Sequence, residues 1–140
     1  MGKTAFSGPV YGAKQTLWSG GPFAASTGSS ATFAGTQVPS GEDWYATELA
    51  LYRNSTGSTN FQVSVLDDST LVGTVTVAGS SLAAVSNIAV ITATGGEYEG
   101  ARIASGSVLT FAHSSHAGPN ADLSVTLSGF RRFVNSSRSE

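Results

Sequence analysis

The amino-acid sequence predicts an all-β domain built as an antiparallel β-sandwich. About eight short segments alternate apolar with polar residues, which is the period of a half-buried strand. Turn-forming residues separate most of these segments at intervals of roughly 8–14 residues, a spacing typical of sandwiches and barrels. No segment of useful length has the period of an amphipathic helix, since the best candidate, residues 81–87, is too short. Eight antiparallel strands that follow an arm favour a jelly roll, and an immunoglobulin-like sandwich is the alternative.

Residues 1–28 differ from the rest of the chain and are predicted to form an extended N-terminal arm. They are rich in glycine, and neither strand nor helix periodicity is sustained in them. Aromatic residues nevertheless recur along this segment, whereas a disordered linker usually lacks them. Because a docked ring buries a large apolar area, we expect the arm to attach to a partner surface through its rings. These anchor rings are Phe6, Tyr11, Trp18 and Phe23. The alternative is an N-terminal stretch folded back on its own domain.

The first half of the β domain is predicted to contain four strands separated by polar turns. One face of the second strand is predicted to carry Tyr45, Thr47, Leu49 and Leu51. Residues 67–70, Asp-Asp-Ser-Thr, have the composition of a turn and should join the third strand to the fourth. The four predicted strands are residues 31–38, 44–53, 61–65 and 71–77.

The second half of the domain is predicted to contain four further strands. Ile88, Val90 and Ile91 indicate that the first of them is more fully buried. The β domain therefore spans residues 29–134, and a polar C-terminal tail follows at residues 135–140. The four predicted strands are residues 87–94, 101–104, 108–113 and 121–133.

The composition is poor in charge, which bears on the kind of partner. Charged residues make up 11% of the 140 residues, against about 25% in an average soluble protein. A surface of Ser, Thr, Gly and Ala is easily buried, so we expect a chain that packs against other chains; a small Thr-rich β domain is the alternative. A net charge of −2 excludes a polybasic nucleic-acid binder. No apolar run approaches the roughly 18 residues of a membrane span.

Charge is also unevenly distributed along the chain. Residues 1–41 contain two bases and no acid, residues 42–122 contain eight acids and two arginines, and residues 123–140 contain three arginines and one acid. Basic ends and an acidic body permit head-to-tail contacts, in which Arg131 or Arg132 meets an acid of a neighbouring copy. Contacts of this type close into rings, so we predict a homo-oligomer and favour a trimer.

No arrangement of side chains indicates catalysis. The chain has no cysteine, which excludes thiol catalysis and thiolate metal sites, and it has no G-x-S-x-G nucleophile elbow. His113 and His116 have an H-x-x-H spacing, with Asp122 as a third candidate ligand for zinc or nickel, but they lie at a strand end and in a loop. A polar loop is the simpler interpretation, and we predict a non-enzymatic protein with no metal and no cofactor.

The two tryptophans support a different class of function. Trp18 and Trp44 could stack on sugar rings in a carbohydrate-binding sandwich, and Trp44 follows Glu42 and Asp43, whose carboxylates could bind hydroxyls. Packing in the core or at an interface is the commoner role of tryptophan in a small domain. Exposure of either ring beside carboxylates would favour the glycan-binding hypothesis.

The opening segment Lys3-Thr4-Ala5-Phe6-Ser7-Gly8-Pro9-Val10-Tyr11-Gly12 resembles the start of small structural proteins encoded in tailed-phage genomes. A Gly-, Ser- and Ala-rich β chain of this size is similar to phage head decoration (cement) proteins. The resemblance implies a jelly-roll or related subunit that sits, often as a trimer, on the outer capsid over junctions between major capsid subunits. The implied function is mechanical, because such subunits bridge neighbours and resist internal DNA pressure.

The expected partner is therefore the major capsid protein, with no role for nucleic acid or a membrane. We expect the protein to be made in the host cytoplasm and to reside in the virion, on the capsid exterior. Two alternatives from other classes are a fibre- or spike-type host-surface module that binds glycans and a small metal-dependent enzyme.

Overall fold

A computed structural model describes residues 14–25, 30–88, 101–114 and 121–133. The regular structure of these residues is entirely β, which confirms the predicted fold class. None of them belongs to a helix that could cross a membrane. The strands are β1 (Gln15–Ala25), β2 (Ala31–Gln37), β3 (Glu42–Arg53), β4 (Phe61–Asp67), β5 (Thr70–Val77), β6 (Ala83–Asn87), β7 (Ala101–Ile103), β8 (Val108–His113) and β9 (Ala121–Phe133).

The described strands form two antiparallel sheets. Sheet A has the order β1-β9-β3-β6, and β7 also pairs with β3. Because β9 pairs along the whole of β3, β6 and β7 share the other edge of β3, opposite residues 48–52 and 44–46. Sheet B has the order β2-β8-β4-β5. The apolar faces of the two sheets pack together and enclose one core.

The order of the strands defines a jelly roll. The chain pairs with itself in reverse: β4 with β5, β3 with β6 and β7, β2 with β8, and β1 with β9. Successive pairs belong to alternate sheets, which is the arrangement produced when one long hairpin wraps into a sandwich. Because β6 and β7 pair with the same edge of β3, the nine described strands occupy eight positions. The eight predicted strands did not include β1, which was assigned to the arm.

A row of rings crosses the core between the sheets. Trp18 of β1 stacks on Phe111 with ring centroids 4.5 Å apart. Phe33 lies 6.5 Å from Phe111 and 5.9 Å from the imidazole of His113. His113 in turn stacks on Phe61 at 5.7 Å. These rings connect β1, β2, β4 and β8, so they contribute to holding the two sheets in one relative position.

The first strand corrects the predicted arm. Residues 15–25 form β1 and pair with β9 along their whole length. Leu17 and Ala25 are buried in the core. This part of the predicted arm therefore belongs to the sandwich, and the alternative of a stretch folded onto its own domain describes it. Residues 1–13 lie outside the described residues.

The predicted face of β3 is wrong at one end because the strand contains a bulge between Ala46 and Glu48. A bulge inserts one extra residue, which reverses the alternation beyond it. Trp44 and Ala46 therefore share the inner face with Leu49 and Leu51, whereas Tyr45 lies on the opposite face. Gly129 of β9 lies against this bulge, and a Cβ atom there would collide with the carbonyl oxygen of Tyr45.

Two other sequence predictions can be compared with the strands. The turn at residues 67–70 is confirmed: Asp68 and Ser69 have φ of +47° and +78°, as the two central residues of a type I′ hairpin turn require. Residues 81–87, considered as the best helix candidate, contain strand β6 instead. The predicted strand at 87–94 lies almost wholly outside the described residues.

Candidate functional site

Arg131 ties together three strands at one end of sheet A. The register places it opposite Trp44, and its guanidinium lies 5.7 Å from the Trp44 ring centroid. Its Nε lies 3.1 Å from Oε1 of Glu42, which also accepts a hydrogen bond from the indole of Trp44. The remaining nitrogens donate to Gln15 Oε1 (2.6 Å) and to the carbonyl of Leu17 (3.0 Å). The predicted partner-binding arginine thus binds its own edge strand.

Asp43 organises a second charged cluster on the outer face of the same sheet. Its side chain is buried, and Oδ2 accepts hydrogen bonds from Nε and Nη2 of Arg102, at 3.2 and 2.9 Å. Arg132 Nη1 lies 3.7 Å from the same oxygen, and the amide of Ser105 donates to Oδ1. The hydrogen bond to Asp43 raises the pKa of Arg102. Arg132, the other predicted contact, is therefore also paired within the chain.

Arg53 is the largest fully buried side chain of the described residues. It donates hydrogen bonds to the carbonyl oxygens of Ala78, Gly79 and Ser81 at 2.8–3.0 Å, and it lies over the ring of Phe61. Burial lowers the pKa of this guanidinium. Arg53 therefore fastens the connection between β5 and β6 to the end of β3.

Asp67 carries a buried carboxylate oxygen at the end of β4. Its Oδ1 is buried and has no hydrogen-bond partner among the described residues. Burial raises the pKa of Asp67, a hydrogen bond with Ser107 lowers it, and the nearby charge of Asp68 raises it. Asp68 itself accepts a hydrogen bond from the amide of Val108.

The charges of the described residues are thus largely neutralised within the chain. Lys14 lies 2.9 Å from Glu48, and three arginines form ion pairs with Glu42 and Asp43. The fifth basic residue of this part of the chain, Arg53, binds carbonyl oxygens. Asp68 and Asp122 are exposed acids outside these ion pairs, so the surface of the described residues keeps few unpaired charges.

The structure places two of the predicted anchor rings inside the sandwich. Trp18 and Phe23 are partly buried, stack at 6.3 Å, and continue the row of core rings through Phe33. Phe6 and Tyr11 lie outside the described residues. The prediction that Trp18 and Phe23 contact a partner stays a prediction, but each ring already contacts its own core.

The candidate metal ligands His113, His116 and Asp122 are not brought together by the described residues. His113 is buried between Phe33 and Phe61, with Nδ1 2.9 Å from the carbonyl oxygen of Ser114. Asp122 is exposed and interacts with Asn54, and His116 lies outside the described residues. Within residues 14–25, 30–88, 101–114 and 121–133, no three metal-ligating side chains form a cluster.

Of the two tryptophans considered for sugar stacking, for which packing was the commoner expected role, Trp44 is buried and Trp18 is partly buried. Trp44 retains 3% of its accessible surface, and Arg131 covers one face of its ring. Trp18 stacks on core rings. The exposure that would favour glycan binding at these two positions is therefore not found.

An uncharged groove lies on the outer face of sheet A, and the sequence analysis did not predict it. Its volume is about 210 Å³. The side chains of Tyr52 and Val85 are 50% and 63% exposed. Strand alternation could have indicated Tyr52, because it is out of phase with the buried Leu49 and Leu51. The lining residues are Ala50, Leu51, Tyr52, Ala83, Ala84, Val85, Ser124 and Thr126.

Other large apolar side chains are exposed outside this groove. Leu71 and Val108 lie on the outer face of sheet B, where β5 and β8 flank the end of β4. Phe133, at the end of β9, is 71% exposed, and Leu82 precedes β6. Single exposed apolar residues are ordinary, but several on a surface short of charge are typical of a protein that contacts others.

Comparisons with known proteins do not identify a family. No family model matches the chain, and no curated protein matches it significantly. Among solved structures it is similar to a carbohydrate-binding module, CBM36, in complex with calcium and xylotriose, at 14% identity and a TM-score of 0.43. The match covers 84% of this chain and 98% of that one. A likeness this distant implies nothing about ligands, and the jelly roll rests on the strand order above.

Proposed function

We propose that this protein is a non-enzymatic virion structural subunit, a decoration or cement protein that binds the outer surface of a phage capsid and stabilises it. The observation that carries the proposal is a surface on which basic side chains are bound within the chain and large apolar side chains are exposed. The basic side chains of the described residues are bound within the chain, whereas Tyr52, Val85, Leu71 and Phe133 are half or more exposed. Such a surface is better suited to burial in an assembly than to free solution.

The sequence adds support that is independent of this surface. Residues 3–12 resemble the start of small tailed-phage structural proteins, and the jelly roll is the fold that this resemblance implies. The partner in this proposal is the major capsid protein, and the subunit acts as a homo-oligomer, favoured as a trimer. Attachment depends on apolar contacts, because exposed ion pairs contribute only about 0–1 kcal/mol each.

The test compares heat-triggered genome release from particles with and without this protein. Particles that lack it should release DNA at a lower temperature, and adding purified protein back to full occupancy should restore the original temperature. The assembly should bury more than about 1,000 Å² in total, as stable interfaces do. Equal release temperatures, together with a monomer in sedimentation, would contradict the proposal.

A second candidate function is a fibre- or spike-type module that binds host-surface glycans. The exposed ring of Tyr52 favours it, because Ser124 and Thr126 place hydroxyl groups in the same groove. Titration with neutral oligosaccharides tests it: Tyr52→Ala should abolish binding, whereas Tyr52→Phe, which keeps the ring, should retain most of it. Absence of binding by the unmodified protein would remove this candidate.

A further inference from the structure

Strand β6 differs from the other edge strands in the described part of the chain. Edge strands expose unpaired main-chain groups, and natural proteins protect them with bulges, charges, proline or short length. The pairing of β1 contains two register shifts and Pro22, that of β2 is shifted between Thr32 and Ala34, and that of β5 is shifted opposite Val65 and Leu66. Strand β7 has three residues, one of which is a charged arginine.

Strand β6 is short, with five residues, but it has none of the other protections. Its sequence, Ala-Ala-Val-Ser-Asn, contains no charge and no proline, and its pairing with β3 runs without a register shift. In the described residues, no strand lies beyond it in the sheet. An unprotected edge of this kind is a site for the addition of another strand.

The backbone hydrogen bonds show which groups of β6 point outward. Ile88 donates to the carbonyl of Thr47, and Arg53 donates to the carbonyl of Leu82, so residues 82 and 88 face β3. Because direction alternates along a strand, Val85 and its neighbours at 83 and 87 direct their N–H and C=O groups away from the sheet. Three donors and three acceptors therefore line the open edge.

The groove beside this edge has no charged lining residue, and the ion pair of Glu48 with Lys14 lies opposite Asn87 at one end of β6. The uncharged groove of sheet A runs across three strands, with Ala83 and Val85 of β6 on one side, Ala50 and Tyr52 of β3 in the middle, and Ser124 and Thr126 of β9 on the other side. Side chains of a strand added to β6 would lie next to Val85, within reach of this groove. The segment that fits has few charges and carries a ring or another apolar anchor.

We propose that β6 binds the N-terminal segment, residues 1–13, of a neighbouring copy as an added strand. This segment has one charged side chain, Lys3, and two rings, Phe6 and Tyr11. Thirteen residues precede Lys14 in the sequence, and when extended they reach about 43 Å, enough to cross from one domain to the next.

The sheet order supports an exchange between copies. β1 and β6 form opposite edges of sheet A, so copies placed side by side bring the start of one β1 near the β6 edge of the next. Such head-to-tail contacts close into rings. The inference concerns contacts between copies, so it goes beyond the proposed capsid role and is tested without a capsid.

The first test removes one outward N–H group in the full-length chain. Val85→Pro deletes an N–H that makes no bond to β3, whereas Val85→Thr is the matched control that keeps it. We expect unmodified protein and Val85→Thr to sediment as the same oligomer, and Val85→Pro to sediment as a monomer that keeps its far-ultraviolet circular dichroism. An oligomer unchanged by Val85→Pro in a folded protein would overturn the proposal.

The second test asks whether the N-terminal segment is what binds β6. Because the chain has no native cysteine, cross-linking occurs only at the cysteines that are introduced. Copies carrying only Ser7→Cys are mixed with size-tagged copies carrying only Val85→Cys and treated with a short bis-maleimide. We expect mixed dimers in high yield, and a several-fold lower yield when Leu71→Cys, on the outer face of sheet B, replaces Val85→Cys. Three results would overturn the proposal. The first is cross-linked dimers formed by Val85→Cys copies alone, and the second is an equal yield of mixed dimers with Val85→Cys and with Leu71→Cys. The third is a monomeric unmodified protein, in which the β6 edge would be covered by residues of the same chain.

Discussion

Two arginines at opposite ends of sheet A are stabilised in different ways. Arg53 and Arg131 each lie over an aromatic ring, at 5.8 Å from the Phe61 centroid and 5.7 Å from the Trp44 centroid. Arg131 has a carboxylate, Glu42, and keeps about a quarter of its side chain exposed. Arg53 is fully buried and binds three carbonyl oxygens, with no ion pair to an acid among the described residues.

The difference shows that the two residues fasten different parts of the jelly roll. Arg53 depends on carbonyl groups that the β5–β6 connection brings together, so the connection and the charge stabilise each other. Arg131 joins β9 to β3 through Glu42 and to β1 through Gln15 and the Leu17 carbonyl. Loss of the Arg53 side chain should destabilise the core, whereas loss of the Arg131 side chain should destabilise the attachment of edge strand β1.

The largest effect is expected at the fully buried arginine. Arg53→Ala leaves a cavity and three carbonyls without their donor, so the free energy of unfolding should fall by about 3 kcal/mol or more. Denaturant unfolding followed by circular dichroism measures it. Arg53→Lys, which keeps a charge but not the planar fork of donors, should be intermediate. A loss below about 1 kcal/mol for the alanine variant would contradict the role of Arg53 as a clamp.

A smaller and more local effect is expected at the other arginine. Arg131→Met removes an ion pair, two hydrogen bonds and the contact with Trp44 at a partly exposed site, so the loss should be about 1–2 kcal/mol. Amide hydrogen exchange should speed up selectively in β1. Arg132→Met is the matched control, because it is the next residue of β9 and Arg102 still holds Asp43. Equal exchange in β1 of both variants would be evidence against the specific role of Arg131.

The smallest effect is expected at Asp67 and depends on pH. Because burial raises its pKa in the folded state, the folded protein binds this proton more tightly than the unfolded chain does. The contribution of Asp67 to stability is therefore present below its ordinary pKa and is lost as the pH rises through the raised value. Asp67→Asn should remove this dependence, so its stability relative to the unmodified protein should increase with pH, by about 1 kcal/mol or less.

Ser107→Ala should strengthen the pH dependence that Asp67→Asn removes. It removes the hydrogen bond that lowers the pKa of Asp67, so the loss of stability should move to higher pH. Thermal unfolding across the acid range measures both variants. Parallel pH curves for the unmodified protein and Asp67→Asn would show that the carboxylate contributes no pH dependence.

Much of the fold followed from the sequence because strand alternation and turn residues act locally. The hairpin turn at 67–70 and strands β4, β5, β8 and β9 show clean alternation and were predicted close to their observed positions. The bulge in β3 could not be seen, because it arises where Gly129 allows close approach of the chain. β1 was missed because its glycines and Pro22 interrupt the alternation, and its strand form depends on pairing with β9.

The surface was harder to predict than the core. Arg131 and Arg132 were predicted to bind acids of a neighbouring copy, because the acids of their own chain are distant from them in the sequence. The pairing of β3 with β9 instead places Glu42 and Asp43 of the same chain next to the two arginines. The uncharged groove combines side chains from three strands, so no single segment carries its signature. The two tryptophans could not be assigned between core and surface, because a large ring suits either.

The reversed pairing of the strands also sets the order in which the chain can complete its fold during synthesis. β1 leaves the ribosome before the other described strands, yet its partners in β9 lie 96 to 114 residues later in the sequence. The centre of sheet A is likewise incomplete until β9 arrives beside β3. Among the described strands, only β4 and β5 pair with a neighbour in the sequence, so the described pairing is dominated by distant contacts, which are slow to form. The jelly roll thus closes only after almost the whole described chain has been made.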